Sequence, residues 1–141
     1  MPLHAFVDAS VLFAAAHSTT GASHELMLWA ARGGLRLTVS DVVLQEVHRN
    51  LTRKSPKALA GFELLLVAVP FETVQVTPEE IAQAAAYTEL KDAPIVAAAL
   101  KCRAQYLVSL DRAHLVDQPA VAGGSGLRVV LPATLLELLR E

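Results

Sequence analysis

One cysteine, Cys102, stands alone in the 141-residue chain, so no internal disulfide can form, and no Cys/His spacing reads as a zinc site. The five histidines, at positions 4, 17, 24, 48 and 114, form neither an HExxH motif nor a paired pattern. Scattered in this way they read as ordinary surface or half-buried residues. No stretch reaches about 18 uncharged apolar residues, the length a membrane helix needs. The run Val11-Leu-Phe-Ala-Ala-Ala16 has the look of a secretion signal's apolar centre, but no Lys or Arg precedes it and Asp8 interrupts it. The expectation is a cytoplasmic protein with no signal peptide and no membrane span. An excess of positive charge is also missing: the formal net charge is −2, which is not the footprint of a protein that grips nucleic acid by bulk electrostatics. There is no internal repeat, linker or low-complexity tract.

What is present is apolar. Hydrophobic residues make up 53% of the chain and charged residues only 18%, a balance that excludes disorder. It suits a compact α/β domain with apolar surface to spare, such as a subunit interface. The length is that of one domain, 1–141, large enough to bury a core without a disulfide or a structural metal.

Short β-branched runs alternate with longer helical patterns. Strands are expected at 3–7, 35–39, 71–76, 106–109 and 127–131. Helices are expected at 9–16, at 23–32 with Ser23 as N-cap and Gly33-Gly34 as the stop, and at 41–53 capped by Ser40. Further helices should run from the Ser55-Pro56 start signal towards Val67, from the Thr77-Pro-Glu-Glu80 capping box to about Tyr87, over 93–103, and over 132–140. Residues 119–126 read as a loop. Strands separated by helices imply right-handed crossovers and a mainly parallel central sheet flanked by helices.

In such a sheet the working crevice lies beyond the carboxyl ends of the strands. Asp8 directly follows the first strand, where it serves equally as a helix N-cap. Glu46 lies about one and a half turns from the Ser40 cap. Helical side chains lean towards the N-terminus, so it can point back to the same rim, although a surface role beside the apolar stripe of Val43, Leu44 and Val47 is as good a reading. Asp92 and Asp111 are placed as a pair. The helix after Asp92 leaves the rim by roughly 15–18 Å, and the strand at 106–109 returns by roughly 13 Å, bringing Asp111 back to the level of Asp92.

Carboxylates held together raise one another's pKa values unless a cation binds between them. Oxygen ligands without His or Cys suit Mg2+ or Mn2+, and such an ion supports phosphodiester hydrolysis. Ser10 and Ser109, two residues from Asp8 and Asp111, can orient a carboxylate or a metal-bound water, or act as plain cap and loop hydroxyls. Glu89, one turn before Asp92, is a rival or auxiliary ligand, and Asp117 a weaker one. Arg49, Arg53, Lys54 and Lys57, beside His48, form either a solvated helix end or a phosphate-contact patch.

Four segments together resemble the PIN domain family: Phe6-Val-Asp8-Ala-Ser10, Glu46 in its amphipathic helix, Lys91-Asp92-Ala-Pro-Ile-Val-Ala-Ala-Ala-Leu100, and Leu107-Val-Ser-Leu-Asp111-Arg. The closing Val130-Leu-Pro-Ala-Thr-Leu-Leu-Glu137 resembles the family's last strand and helix. The resemblance implies a Mg2+- or Mn2+-dependent endoribonuclease with Asp8, Glu46, Asp92 and Asp111 as its acidic cluster. It further implies a VapC-like toxin of a toxin–antitoxin pair, commonly a homodimer and inhibited by a partner protein. Ser109 stands where the family often has threonine, and Leu110 where it often has a small or polar residue. The competing reading from another class is a catalytically idle PIN fold that binds RNA or protein. An aspartyl phosphatase fits poorly, because position 10 is serine where a second Asp is wanted. A receiver domain lacks its acidic pair and its lysine. Gly123-Gly-Ser-Gly126 precedes a strand rather than a helix, so it is no dinucleotide site.

Overall fold

The computed structural model describes residues 2–117 and 126–141. Among them are five strands: β1 (Leu3–Val7), β2 (Leu35–Ser40), β3 (Glu72–Val74), β4 (Tyr106–Val108) and β5 (Arg128–Val130). They form one all-parallel sheet in the order β3-β2-β1-β4-β5. β1 is central, running beside β2 from Leu3↔Leu35 to Phe6↔Thr38 and beside β4 from Ala5↔Tyr106 to Val7↔Val108. Buried on both sides, β1 and β4 read as near-continuous apolar runs rather than alternating ones.

Seven α-helices occur among the described residues: α1 (Ala9–His17), α2 (Ala22–Ala31), α3 (Asp41–Lys54), α4 (Leu59–Ala68), α5 (Pro78–Ala84), α6 (Ala93–Lys101) and α7 (Pro132–Leu139). The crossovers from β1 to β2 to β3 move one way along the sheet, and the return to β4 reverses direction. Right-handed connections therefore put α1–α4 on one face and α5–α6 on the other. The packing agrees: α1 contacts α2, α3 and α4, α2 contacts α7, and α5 contacts α6. Phe6, Leu12, Leu26, Met27, Leu37, Leu107 and Leu135 are among the fully buried side chains of the core. The reversal makes the gap between the carboxyl ends of β1 and β4 the topological switch point, where open α/β sheets hold their ligands.

Several boundaries differ from the sequence expectation. α2 starts one residue early with Gly21 at the cap, and Ser23 is buried inside the helix. The Ser55-Pro56 signal opens a 3-10 turn, Pro56–Ala58, before α4 begins, and Ser55 makes no side-chain cap. The strand expected over 71–76 pairs only at Glu72–Val74, opposite Thr38–Ser40 on the sheet edge. α5 stops at Ala84, short of Tyr87, and α6 at Lys101, short of Arg103, whose backbone turns left-handed at φ 58°. His4 is buried, its Nε2 lying 2.7 Å from Thr38 Oγ1. The loop expected over 119–126, with most of the glycine-rich segment, lies outside the described residues except for Gly126. No helix among the described residues is long and apolar enough to cross a membrane.

Candidate active-site cleft

At the switch point an open cleft of about 540 Å³ is lined by Asp8, Glu46, Asp92 and Asp111. Four separate segments deliver the four acids. Asp8 directly follows β1, Glu46 lies on the second turn of α3, Asp92 sits at the entrance to α6, and Asp111 follows β4.

Asp8 is the fixed point. Its backbone N–H donates to Val108 O at 3.0 Å, which ties the end of β1 to β4. Its Oδ1 accepts the Ala9 N–H at 2.7 Å and so caps α1. Its Oδ2 accepts the hydroxyls of Ser109 at 2.7 Å and Ser10 at 3.2 Å. Each serine also accepts a backbone N–H from the next segment: Asp111 to Ser109 Oγ at 3.0 Å, and Leu110 to Ser10 Oγ at 3.1 Å. Two hydroxyls thus couple the Asp8 carboxylate to the backbone that carries Asp111. Burial pushes the Asp8 carboxyl up; the Ser109, Ala9 and Ser10 hydrogen bonds oppose this, and the negative charge of Asp111 adds to it.

Glu46 is half-buried. Desolvation raises its pKa first, then the charges of Asp8 and Asp92, with Arg49 pulling the other way. Its helix is positioned by Ser40, whose Oγ accepts the Val43 N–H at 3.1 Å, and by the buried stripe of Val43, Val47 and Leu51. Asp92 occupies the N-cap position of α6 yet makes no capping hydrogen bond with its side chain.

The cleft also brings in three residues that sequence reasoning had not placed there: Asn50, Lys91 and, from the basic cluster, Lys54. Glu46, Asn50 and Lys54 recur every four residues and share one face of α3, a spacing that could have exposed Asn50. Lys54 also lines a neighbouring hollow with Lys57 and His17. Arg49 and Arg53 are exposed and line neither. Glu89 is exposed, faces Lys91 at 4.0 Å and is not part of the cleft lining. Asp117 pairs with Arg112 Nε at 3.2 Å, also outside it.

The oxygen donors of the cleft are carboxylate, hydroxyl and the Asn50 amide, with no His or Cys, which fits a hard divalent cation rather than zinc. The mutual raising of Glu46 by Asp8 and Asp92 is the imbalance such a cation would relieve. The acids stand apart, however. Among the described residues no three His, Cys, Asp or Glu side chains are gathered closely enough to hold an ion as placed.

The family model for the PIN domain matches residues 5–117, which contain all four acids. The chain belongs to the PIN domain family. Solved structures with the same fold include PAE2754 from Pyrobaculum aerophilum, at TM-score 0.67 and 19% identity, covering 99% of this chain and 98% of that one. VapBC2 from Rickettsia felis, bound to a DNA fragment from its promoter, aligns at TM-score 0.64 and 13% identity over 92% and 98%. VapC20 of Mycobacterium tuberculosis, a toxin that cleaves the sarcin-ricin loop, aligns at TM-score 0.54 and 25% identity over 77% and 91%. No curated protein is a significant match in sequence. Membership in the PIN family, with a cleaving toxin among the structural neighbours, supports a nuclease.

Proposed function

We propose that this PIN domain, 1–141, is a Mg2+- or Mn2+-dependent endoribonuclease and the toxin of a toxin–antitoxin pair. The observation that carries the reading is the lining of one cleft by four carboxylates from four different segments at the sheet's switch point. Asp8, Glu46, Asp92 and Asp111 are the residues that would hold the cation. A divalent ion bound there would polarise the scissile phosphoryl group and supply an activated water.

The chain's own residues would supply placement and charge. Ser10 and Ser109 hold the Asp8 carboxylate in one orientation through Oδ2. Lys54 and Lys91 bring positive charge to a wall that is otherwise acidic, and would receive the phosphates on either side of the cut. Lys57 extends that contact into the neighbouring hollow, while Arg49 and Arg53 would act at longer range. Glu89, beside the cleft rather than in it, would have no ligand role.

The VapC20 and VapBC2 neighbours support an antitoxin partner and an RNA substrate. Pairing of two copies is supported by α4, whose Leu64 and Val67 are 69% and 87% exposed. A catalytically idle RNA- or protein-binding module is the second reading, favoured by the spacing of the acids. One experiment separates the two: purified protein is incubated with structured and unstructured RNA, with Mg2+, Mn2+ or EDTA. Cleavage that requires the ion supports the enzyme; binding without cleavage under every metal supports the module.

A further inference from the structure

A second hollow, of about 320 Å³, opens directly beside the acidic cleft and shares two of its walls, Ala14 and Leu110. Its remaining lining is mostly small or apolar, with Ala22, Leu131, Pro132 and Ala133 opposite Leu110. The volume lies at the lower end of the roughly 300–1,000 Å³ range of small-ligand sites, enough for one flat heterocycle and too little for a stack. The hollow of Lys54, Lys57 and His17 also adjoins the cleft, through Lys54. The acidic cleft therefore shares walls with both a cationic hollow, through Lys54, and an apolar one, through Ala14 and Leu110.

Leu110 is the partition between the acidic cleft and the apolar hollow. It is a large apolar side chain, 44% exposed, between Ser109 and Asp111. Its backbone N–H is held by Ser10 Oγ at 3.1 Å, so the partition is anchored to the same hydroxyl that supports Asp8. A strand whose phosphate lies among the acids places an adjoining ribose and base within reach of that wall. Bases of single-stranded RNA can be splayed out of the stack and enclosed by side chains.

We infer that the apolar hollow between Leu110 and the start of α7 takes one unstacked nucleobase next to the scissile phosphate, with Leu110 as a specificity-determining residue. The inference rests on reading the cleft as an RNA-cutting site. Ser18 and Ser23 also line the hollow and give it hydroxyls that can face a base edge. The mainly apolar walls select for a base by shape more than by hydrogen bonding.

The test reads binding, so that it stands apart from catalysis. Full-length protein in EDTA is titrated with a short fluorescent single-stranded RNA, and with the same ribose-phosphate strand made of abasic units. Leu110→Ser should weaken binding of the base-bearing strand about fivefold and leave the abasic strand's affinity the same. Ala133→Leu, which partly fills the hollow from the other side, should repeat the pattern, with circular dichroism showing both variants folded. Equal losses on both strands, or no loss on either, would overturn the assignment. So would Leu110→Ser variants that bind RNA normally but escape inhibition by the partner protein, because the hollow would then hold a protein side chain. Failure of the nuclease reading appears separately, as absence of ion-dependent cleavage by the wild type.

Discussion

Ser109 and Asp8 are 101 residues apart in sequence, yet Ser109 Oγ donates to Asp8 Oδ2 at 2.7 Å. Ser109 Oγ also accepts the Asp111 N–H at 3.0 Å, so one fully buried hydroxyl fixes two of the four cleft acids relative to each other. Removing it should misplace both. Ser109→Ala is expected to lower cleavage roughly 10- to 100-fold, whereas Ser109→Thr, which keeps the hydroxyl, should stay within about threefold. Steady-state rates at saturating Mn2+ check this. Equal losses in the two variants would assign the effect to packing.

The cleft acids should make the metal-free protein less stable as pH rises. Burial and the charges of Asp8 and Asp92 hold the Glu46 carboxyl above the usual carboxylate range. Between the unfolded value, near 4.3, and that raised value the folded chain binds more protons than the unfolded one. The contribution of Glu46 to stability is therefore fully present below the unfolded pKa and declines as pH passes through the raised value. Asp8 shifts in the same direction. Glu46→Gln should raise Tm in EDTA by about 1–3 °C at pH 7 and leave it unchanged near pH 4. Mn2+ should stabilise the wild type more than the variant. A Gln variant that melts lower at both pH values would refute the electrostatic explanation.

The basic cluster should divide into two kinds of residue. Lys54 lines the acidic cleft and the adjoining hollow, Lys57 lines the hollow, and Arg53 lines neither. Lys54→Ala and Lys57→Ala are each expected to reduce the slope of log K against log salt by about 0.7 for single-stranded RNA. Arg53→Ala should change it by less than half as much. Identical slopes for all three would return the cluster to a diffuse solvated helix end.

Gly61 should be intolerant of a change that normally stabilises helices. It lies inside α4, where Gly→Ala ordinarily gains about 1 kcal/mol. Here an added Cβ would stand 2.9 Å from the carbonyl oxygen of Ala16, so α4 must lift away from α1. Gly61→Ala is expected to cost about 1–3 kcal/mol, measured by urea unfolding, and a stabilised variant would show that the two helices are not tightly apposed.

The sequence announced those features that have local physical causes. Ser40 and the Thr77–Glu80 capping box mark helix starts because their side chains bond backbone N–H groups three residues away. Asp8 marks the β1–α1 junction in a related way, accepting the N–H of the next residue, Ala9. What stayed hidden depends on tertiary context. Arg103 ends α6 with positive φ, though no glycine or asparagine signals a stop. The alternation over 71–76 outruns the strand because β3 is an edge strand that meets only Thr38–Ser40. Ser23 had the chemistry of a cap but is buried at the second position of the helix. In the cleft, the carboxylates stood out by their places at the strand ends and helix starts, and Asn50 was open to view only through its spacing from Glu46, whereas Lys91 is an ordinary surface residue type whose place only the fold discloses.

Asp92 offers the most direct test of the central claim, since it lines the cleft at the N-cap position of α6 and Asn keeps its size while removing its charge. RNA cleavage by the wild type and by Asp92→Asn is compared at saturating Mn2+, with thermal melting as the control for folding. The four-carboxylate account predicts a variant that melts like the wild type and cleaves at least about 100-fold more slowly. A well-folded Asp92→Asn protein that cuts RNA at the wild-type rate would contradict it.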